Sequence, residues 1–158
     1  MAILDGAVGG LYVVRMQAHV DRSDVDAILR GAEQAARGAR RKITYIGING
    51  ADSEAPSSEV RQYILARADD LFEHASTLEI VLEGDGLKAG LLRTIVRGMI
   101  TVARTRNAGP RRAFIHSSVE DGITRVQRQL DAPRDEIEAR LRMLGLMLSR
   151  TSSVATST

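Results

Sequence analysis

The sequence predicts an α/β domain, with a four- to five-stranded mixed sheet, alternating helices and an extra helix near the C-terminal end. Short apolar segments, several with the two-residue period of a strand, alternate along the chain with longer segments in which apolar residues recur every three or four positions. The links between these segments are short, as is usual in α/β domains. With 158 residues, of which 44% are hydrophobic, the chain is long enough to bury one core.

The first predicted strand with an alternating pattern covers residues 11–20. Its apolar side chains, such as Val14, share one face, while Arg15 and other polar residues lie on the opposite face. This alternation is typical of a strand with one buried face. The Asp5-Gly6 pair that precedes it predicts a turn, which would fold a short preceding strand back onto this one.

A helix is predicted over 22–41, because Ser23 and Asp26 have the spacing of a capping box. Ser118 and Asp121 repeat this spacing before a later helix. In chain order, the remaining predictions are a strand at 42–50, a helix at about 57–75, a strand at 77–84, a helix at about 87–105, a strand at 111–118 and helices at about 119–130 and 133–149.

These elements predict a single domain over residues 1–150, consisting of a core at 8–130 and an additional helix within 131–150, followed by a disordered tail at 151–158. The chain has no cysteine, which excludes disulfides and thiolate chemistry. The start of the chain lacks the features of a signal peptide, and no apolar run is long enough to span a membrane, so we expect a cytoplasmic protein.

Nucleic acid is an improbable partner on the grounds of charge and composition. The net charge of +2 gives only a weak field for phosphates, and aromatic residues, which would stack on bases, make up 3% of the chain. We therefore expect a protein partner or a small ligand and no nucleic acid.

The segment 87–112 carries seven basic residues and no acidic one. As a helix it would place three of its arginines in one narrow stripe opposite a broad apolar face. The stripe is either ordinary solvent-exposed surface or a site for an acidic neighbour. That neighbour would be a carboxylate of this chain, for example on one of the last two helices, an acidic partner protein or an anionic ligand. The candidate residues are Arg93, Arg97, Arg104, Arg111 and Arg112.

No residue pattern indicates catalysis. The three histidines, His19, His74 and His116, are far apart in the sequence and lack metal-ligand spacing. The glycines of 84–90 do not match a phosphate-binding loop, and Asp85 would repel a phosphate there. We therefore nominate no catalytic, cofactor-binding or metal-binding residue and expect a protein that is not an enzyme.

The predicted helix 133–149 has more apolar circumference than one sheet face requires. Wide apolar surfaces that contain methionine often contact another helix. The helix therefore predicts either a homodimer or simple packing on its own domain. The candidate self-association residues are Leu141, Leu144, Met147 and Leu148.

The order and hydrophobic pattern of "DRSDVDAILRGAEQA", "GINGADSEAPS", "ADDLFEHASTLEIVLEGDGLKAGLLRTIVRGM" and "RRAFIHSSVEDGITRVQRQL" resemble those of STAS-like domains, in the SpoIIAA-like or STAS/SEC14 branch. The resemblance covers about residues 8–130. It implies a small, non-catalytic regulatory or scaffolding module that acts through protein–protein contacts. The apolar helix 133–149 adds the expectation that the module self-associates. The alternative is a binder of a small anionic or lipid-like ligand near the basic helix, since relatives in this branch are associated with lipids.

Some STAS-like proteins, the anti-anti-sigma members, are phosphorylated on a serine within a D-S-[ST]-G motif. Here the corresponding segment is "DSEA", residues 52–55, in which Glu54 replaces the second hydroxyl residue and no glycine follows. The resemblance thus implies Ser53 as the phosphorylation candidate, in a segment that departs from the motif at positions 54 and 55.

Overall fold

The computed structural model describes residues 2–106 and 112–148, apart from the side chain of Arg106. A first pair of strands is followed by helices that alternate with three further strands, and an additional helix lies near the C-terminal end, as the sequence predicts. The elements are β1 (Ile3–Val8), β2 (Leu11–Met16), α1 (Arg22–Ala39), β3 (Ile43–Asn49), α2 (Ser58–His74), β4 (Ala75–Leu82), α3 (Leu87–Arg106), β5 (Ala113–His116), α4 (Val119–Val126), a 3₁₀ turn (Gln127–Gln129) and α5 (Arg134–Met143).

The five strands form one mixed sheet in the order β1-β2-β3-β4-β5. Strand β1 is antiparallel to β2, and the pairs from β2 to β5 are all parallel. Because each parallel crossover moves one strand in the same direction and is right-handed, α1, α2 and α3 lie on one face of the sheet. Helices α4 and α5 pack on the other face. The domain is therefore a sheet between two helical layers.

The layer formed by α4 and α5 contains the largest cluster of fully buried side chains. Every second residue of β2 and β3 faces it, and the short helix α4 inserts three apolar side chains between the sheet and α5. Its members include Leu11, Val13, Ile46, Ile48, Val119, Ile123, Val126, Ile137 and Leu141. Strand β3 is buried along both faces, which agrees with the prediction that it is a central strand.

The hairpin between β1 and β2 turns at Gly9-Gly10, not at Asp5-Gly6 as the sequence analysis expected. Both glycines have positive φ, 55° and 86°, which suits the tight turns of two-residue hairpins and which only glycine adopts at little cost. Asp5 lies within β1 instead, where its carboxylate accepts a 2.6 Å hydrogen bond from the hydroxyl of Tyr12.

Helix α1 begins two positions earlier than the predicted capping box requires. Asp21 is the N-cap: its carboxylate accepts a hydrogen bond from the amide of Asp24, whose own carboxylate accepts one from the amide of Asp21. The expected pair of Ser23 and Asp26 does not cap the helix, because Ser23 already lies in the first turn and donates to Asp21. The second predicted cap is confirmed, since Ser118 accepts a hydrogen bond from the amide of Asp121.

The last helix is shorter than the predicted 133–149. It ends at Met143, and Gly145 adopts a φ of 71°, the left-handed conformation that terminates helices. The amides of Gly145 and Leu146 donate to the carbonyls of Arg142 and Leu141, which is the hydrogen-bond pattern of a Schellman motif. The chain therefore turns back after α5, and the side chains of Leu146 and Met147 are buried against the sheet.

Candidate functional site

An apolar cavity of about 210 Å³ lies between the sheet and the helices α1, α2 and α3. We call it the α3 cavity, because α3 forms its outer wall. Its lining is almost entirely aliphatic, and it runs along the sheet from the level of Asn49 to the level of Ala113. Typical lining residues are Ile64, Ala68, Leu71, Ile80, Val96 and Met99.

The cavity exists because α2 and α3 do not bring their apolar faces into close packing. Helix α2 has one buried residue, Val60, and among the described side chains of α3 only Ala89 and Leu92 are buried. The eight-residue helix α4, on the opposite face, has four. Protein interiors are normally packed as densely as organic crystals. The inward faces of the two long helices therefore line a space instead of completing a core.

The floor of the cavity is formed by β3 and β4. Gly47 lies between Tyr45 and Asn49 on this face of β3, and the Tyr45 ring covers it so closely that a Cβ at position 47 would lie 2.9 Å from the ring. Glycine is thus needed here for the close approach of the tyrosine. The ring of Tyr45 therefore occupies the place of a side chain at position 47 and forms this part of the cavity floor.

The two ends of the cavity differ in charge. Asn49 and Glu54 lie at the carboxyl ends of the strands, and Arg104 lies at the opposite end, where its Nη2 donates a 3.3 Å hydrogen bond to the carbonyl of Ala113. A second cation on the lining, Arg67, is already paired with acidic side chains. The cavity therefore combines a long apolar body with one cationic end.

The arginines predicted as one basic stripe have separate environments. Arg93 donates to the carbonyls of Leu82 and Gly84 at the end of β4, and it does not line the cavity. Arg97 and Arg112 are exposed, and the described part of the chain gives neither of them a carboxylate partner. Arg111 lies outside the described residues. A carboxylate from α4 or α5 does not reach the stripe, because these helices pack on the other face of the sheet.

The four predicted self-association residues also fall into two groups. Leu141 and Met147 are buried in the core between α5 and the sheet, because the turn after α5 directs the chain inward. Leu144 and Leu148 are 43% and 65% exposed, and the neighbouring Met143 is 86% exposed. We call Met143, Leu144 and Leu148 the C-terminal apolar patch.

An ionic cluster around a buried carboxylate lies on the α4 side of the sheet, and no sequence pattern had predicted it. The carboxylate of Glu79, which is fully buried, lies 2.6 Å from His116 Nε2 and accepts two hydrogen bonds from Arg125 Nε, at 2.9 and 3.0 Å. The guanidinium also lies over the ring of Phe114, 3.3 Å from its centroid. The sequence signal that could have indicated the cluster is an acidic residue, Glu79, between the apolar residues Leu78 and Ile80 of a predicted strand.

A polar cleft opens at the carboxyl ends of the parallel strands, which is where α/β sheets commonly bind ligands. Its largest charged groups neutralise each other, since Arg15 forms a two-pronged pair with Glu83 at 2.9 and 3.0 Å and also donates to the carbonyl of Leu146. Ser53 lines this cleft but is only 8% exposed. A kinase would need the loop around Ser53 to open before it reached the hydroxyl.

None of the described helices combines the length and the apolar character that a membrane crossing requires. Within residues 2–106 and 112–148, no three histidine, aspartate or glutamate side chains come together as metal ligands would. Comparison with protein-family models, with curated proteins and with solved structures finds no match to this chain.

Proposed function

We propose that this domain binds an apolar or amphiphilic small molecule in the α3 cavity. The observation that carries the proposal is the open, aliphatic space between the sheet and two long helices that bury few side chains. Small-molecule sites are typically concave and mostly apolar, with a few polar groups that orient the ligand. The α3 cavity has this composition: its lining is almost entirely aliphatic, and its few charged residues are Glu54, Arg67 and Arg104.

The size of the cavity is sufficient for a ligand. An engineered apolar cavity of about 150 Å³ in another protein stays free of water and binds benzene, and the α3 cavity is larger. Each methylene group that moves from water into such a space contributes about 0.8 kcal/mol. An alkyl chain would therefore gain free energy by entering the cavity, and it would also supply the packing that α2 and α3 lack.

Filling the cavity with a side chain tests the proposal. Ala68 lines the cavity, whereas Ala66 on the same helix is exposed. We expect the Ala68→Phe variant to lose affinity for decanol by at least about tenfold, because the phenyl ring would occupy the ligand's space. The Ala66→Phe variant adds the same side chain outside the cavity and should bind as the wild type does. Isothermal titration calorimetry measures both affinities.

Two results would count against ligand binding. One is a wild-type protein that binds none of a series of alkyl alcohols and acids and that carries no small molecule in native mass spectrometry after purification. The other is an Ala68→Phe variant that keeps the wild-type affinity while its thermal unfolding is unchanged.

The regulatory role that a STAS-like domain would have is compatible with this proposal. The order of the elements and the polar loop between β3 and α2 support the STAS-like assignment. In that case ligand occupancy would change the outer surface of α3, where Leu87 is 92% exposed and Arg97 is exposed. A protein partner, including an acidic one, would then recognise and bind this surface of α3.

A homodimer is the second candidate, and the C-terminal apolar patch favours it. Met143, Leu144 and Leu148 are each exposed, and Leu144 packs beside Gly6 of the edge strand β1. A second copy would cover these side chains, and large exposed apolar patches commonly mark interaction sites.

Light scattering on a size-exclusion column tests the dimer. We expect a wild-type dimer at micromolar concentration and a monomer for the Leu144→Glu/Leu148→Glu double variant, because two carboxylates would be buried in the interface. Leu87→Glu places a charge on a different exposed leucine and should leave the dimer intact. If the wild-type protein is monomeric at micromolar concentrations, the C-terminal apolar patch is not a self-association surface.

A further inference from the structure

We infer that the ligand of the α3 cavity is a single-chain amphiphile with an anionic head, such as a medium-chain carboxylate. Its head would lie at Arg104 and its tail would extend towards Leu92. This inference rests on the proposed function and deepens it, because it names the class of ligand and its direction. The evidence is the charge at the two ends of the cavity and the distance between them.

Arg104 is the cation that remains available to a ligand. Its described hydrogen bond is the single contact with the carbonyl of Ala113, whose length of 3.3 Å is slightly beyond the usual range. A guanidinium carries five N–H donors, so most of its donors are left for another acceptor. In the part of the chain that the structure describes, no carboxylate lies within ion-pair distance of Arg104.

The other charged groups of the lining disfavour an anion elsewhere. Arg67 pairs with Asp26 at 3.1 Å and also with Asp70, so its charge is balanced. Glu54 lies at the opposite end, and its contact with His19 is long, at 3.9 Å. A negatively charged head would be repelled at the Glu54 end and attracted at the Arg104 end, which sets the direction of the chain.

The sheet register gives the distance that the tail must cover. Ala113 pairs with Leu78 at one end of the cavity, and Asn49 pairs with Leu82 at the other. Four residues of β4 separate these levels, which corresponds to about 13 Å at the rise of a strand. A cavity of this length and about 210 Å³ accepts one alkyl chain of medium length. Two chains of a membrane phospholipid would not fit.

Two ligands that share one alkyl chain separate the role of the head from that of the tail. We would titrate decanoate and decanol into the wild type and the Arg104→Met variant at about pH 8, where the carboxylic acid is ionised. We expect the variant to bind decanoate about tenfold or more weakly, because charge-assisted hydrogen bonds are lost, and to bind decanol as the wild type does. Arg104→Lys keeps the charge and should retain part of the decanoate affinity.

A matched control removes one exposed arginine without touching the cavity. Arg30 is exposed on α1 and is not part of the lining, so Arg30→Met lowers the net charge equally and should leave both affinities unchanged. The direction of the ligand has its own readout: nuclear Overhauser contacts from the terminal methyl of decanoate should reach Leu92 and not Ala113.

The outcomes distinguish this inference from the proposed function. If decanoate and decanol both bind the wild type but Arg104→Met weakens decanoate no more than Arg30→Met does, the head assignment is wrong while the cavity remains a ligand site. Tighter binding of decyltrimethylammonium than of decanoate would also overturn the head assignment. If no alkyl ligand binds the wild type, both proposals fail together.

Discussion

Replacement of Arg125 by leucine is expected to lower the free energy of unfolding by about 3 kcal/mol, at the lower end of what breaking a buried ion pair costs. Glu79 is fully buried, and two of its described hydrogen bonds come from Arg125. Without the guanidinium, the carboxylate would keep only His116 as a charged or hydrogen-bonding partner among its described contacts. The packing of the guanidinium over Phe114 would be lost as well. Urea denaturation followed by circular dichroism measures the change.

A double-mutant cycle separates the ion pair from the loss of packing. Glu79→Leu/Arg125→Leu removes both charges, and replacing a buried pair by apolar groups is often close to neutral. We therefore expect the double variant to be more stable than Arg125→Leu alone. The Glu79→Leu single variant completes the cycle, and we expect a coupling energy of at least about 1 kcal/mol. Arg128→Leu, on the exposed turn after α4, is the matched control and should change stability little. Equal stability of Arg125→Leu and Arg128→Leu would show that the cluster contributes nothing.

The elements of the fold could be predicted because they depend on local patterns. Strand β3 is apolar on both faces, which identified it as central, and Ser118 at the start of α4 has the capping contact that its spacing indicated. The early end of α5 was missed because the apolar residues after Met143 continue a helical pattern. A single glycine, Gly145, decides that the chain turns back there, and glycine within a helical pattern is a weak indication of a stop.

The candidate site could be predicted only in part, because it depends on distances between elements. The helical pattern of α3 shows which face is turned inward, but it does not show how far the helix stands from the sheet. The same limit applies to the Glu79 cluster: His116 approaches Glu79 only because β5 pairs with β4 in a register that places His116 opposite Val81. Arg104 was among the predicted anion-binding residues, but its place at the end of a cavity follows from the position of Ala113.

Raising the pH from about 10 to about 12 is expected to lower the free energy of unfolding by about 5 kcal/mol through two buried tyrosines. Burial raises the pKa of Tyr45, and burial together with the hydrogen bond to Asp5 raises the pKa of Tyr12. In the unfolded chain both phenols ionise near pH 10. Because the folded-state pKa values are raised, the stability that the neutral phenols contribute is complete below about pH 10 and is lost as the pH rises above it, by about 1.4 kcal/mol per pH unit for each tyrosine.

A variant that lacks one of the two phenols shows whether the buried tyrosines cause this loss of stability at high pH. The Tyr45→Phe variant should show about half of the wild-type slope of unfolding free energy against pH between about pH 10 and pH 12, since one of the two buried phenols is gone. Tyr63 is the matched control, because its pKa is raised by the hydrogen bond to Asp26 although the side chain is only half-buried, so Tyr63→Phe should change the slope less. Urea denaturation at successive pH values gives the slopes, and tyrosinate absorbance reports ionisation in the folded state. Absorbance that shows every tyrosine of the folded protein ionising near pH 10 would contradict the prediction, since neither Tyr12 nor Tyr45 would then be protected by burial.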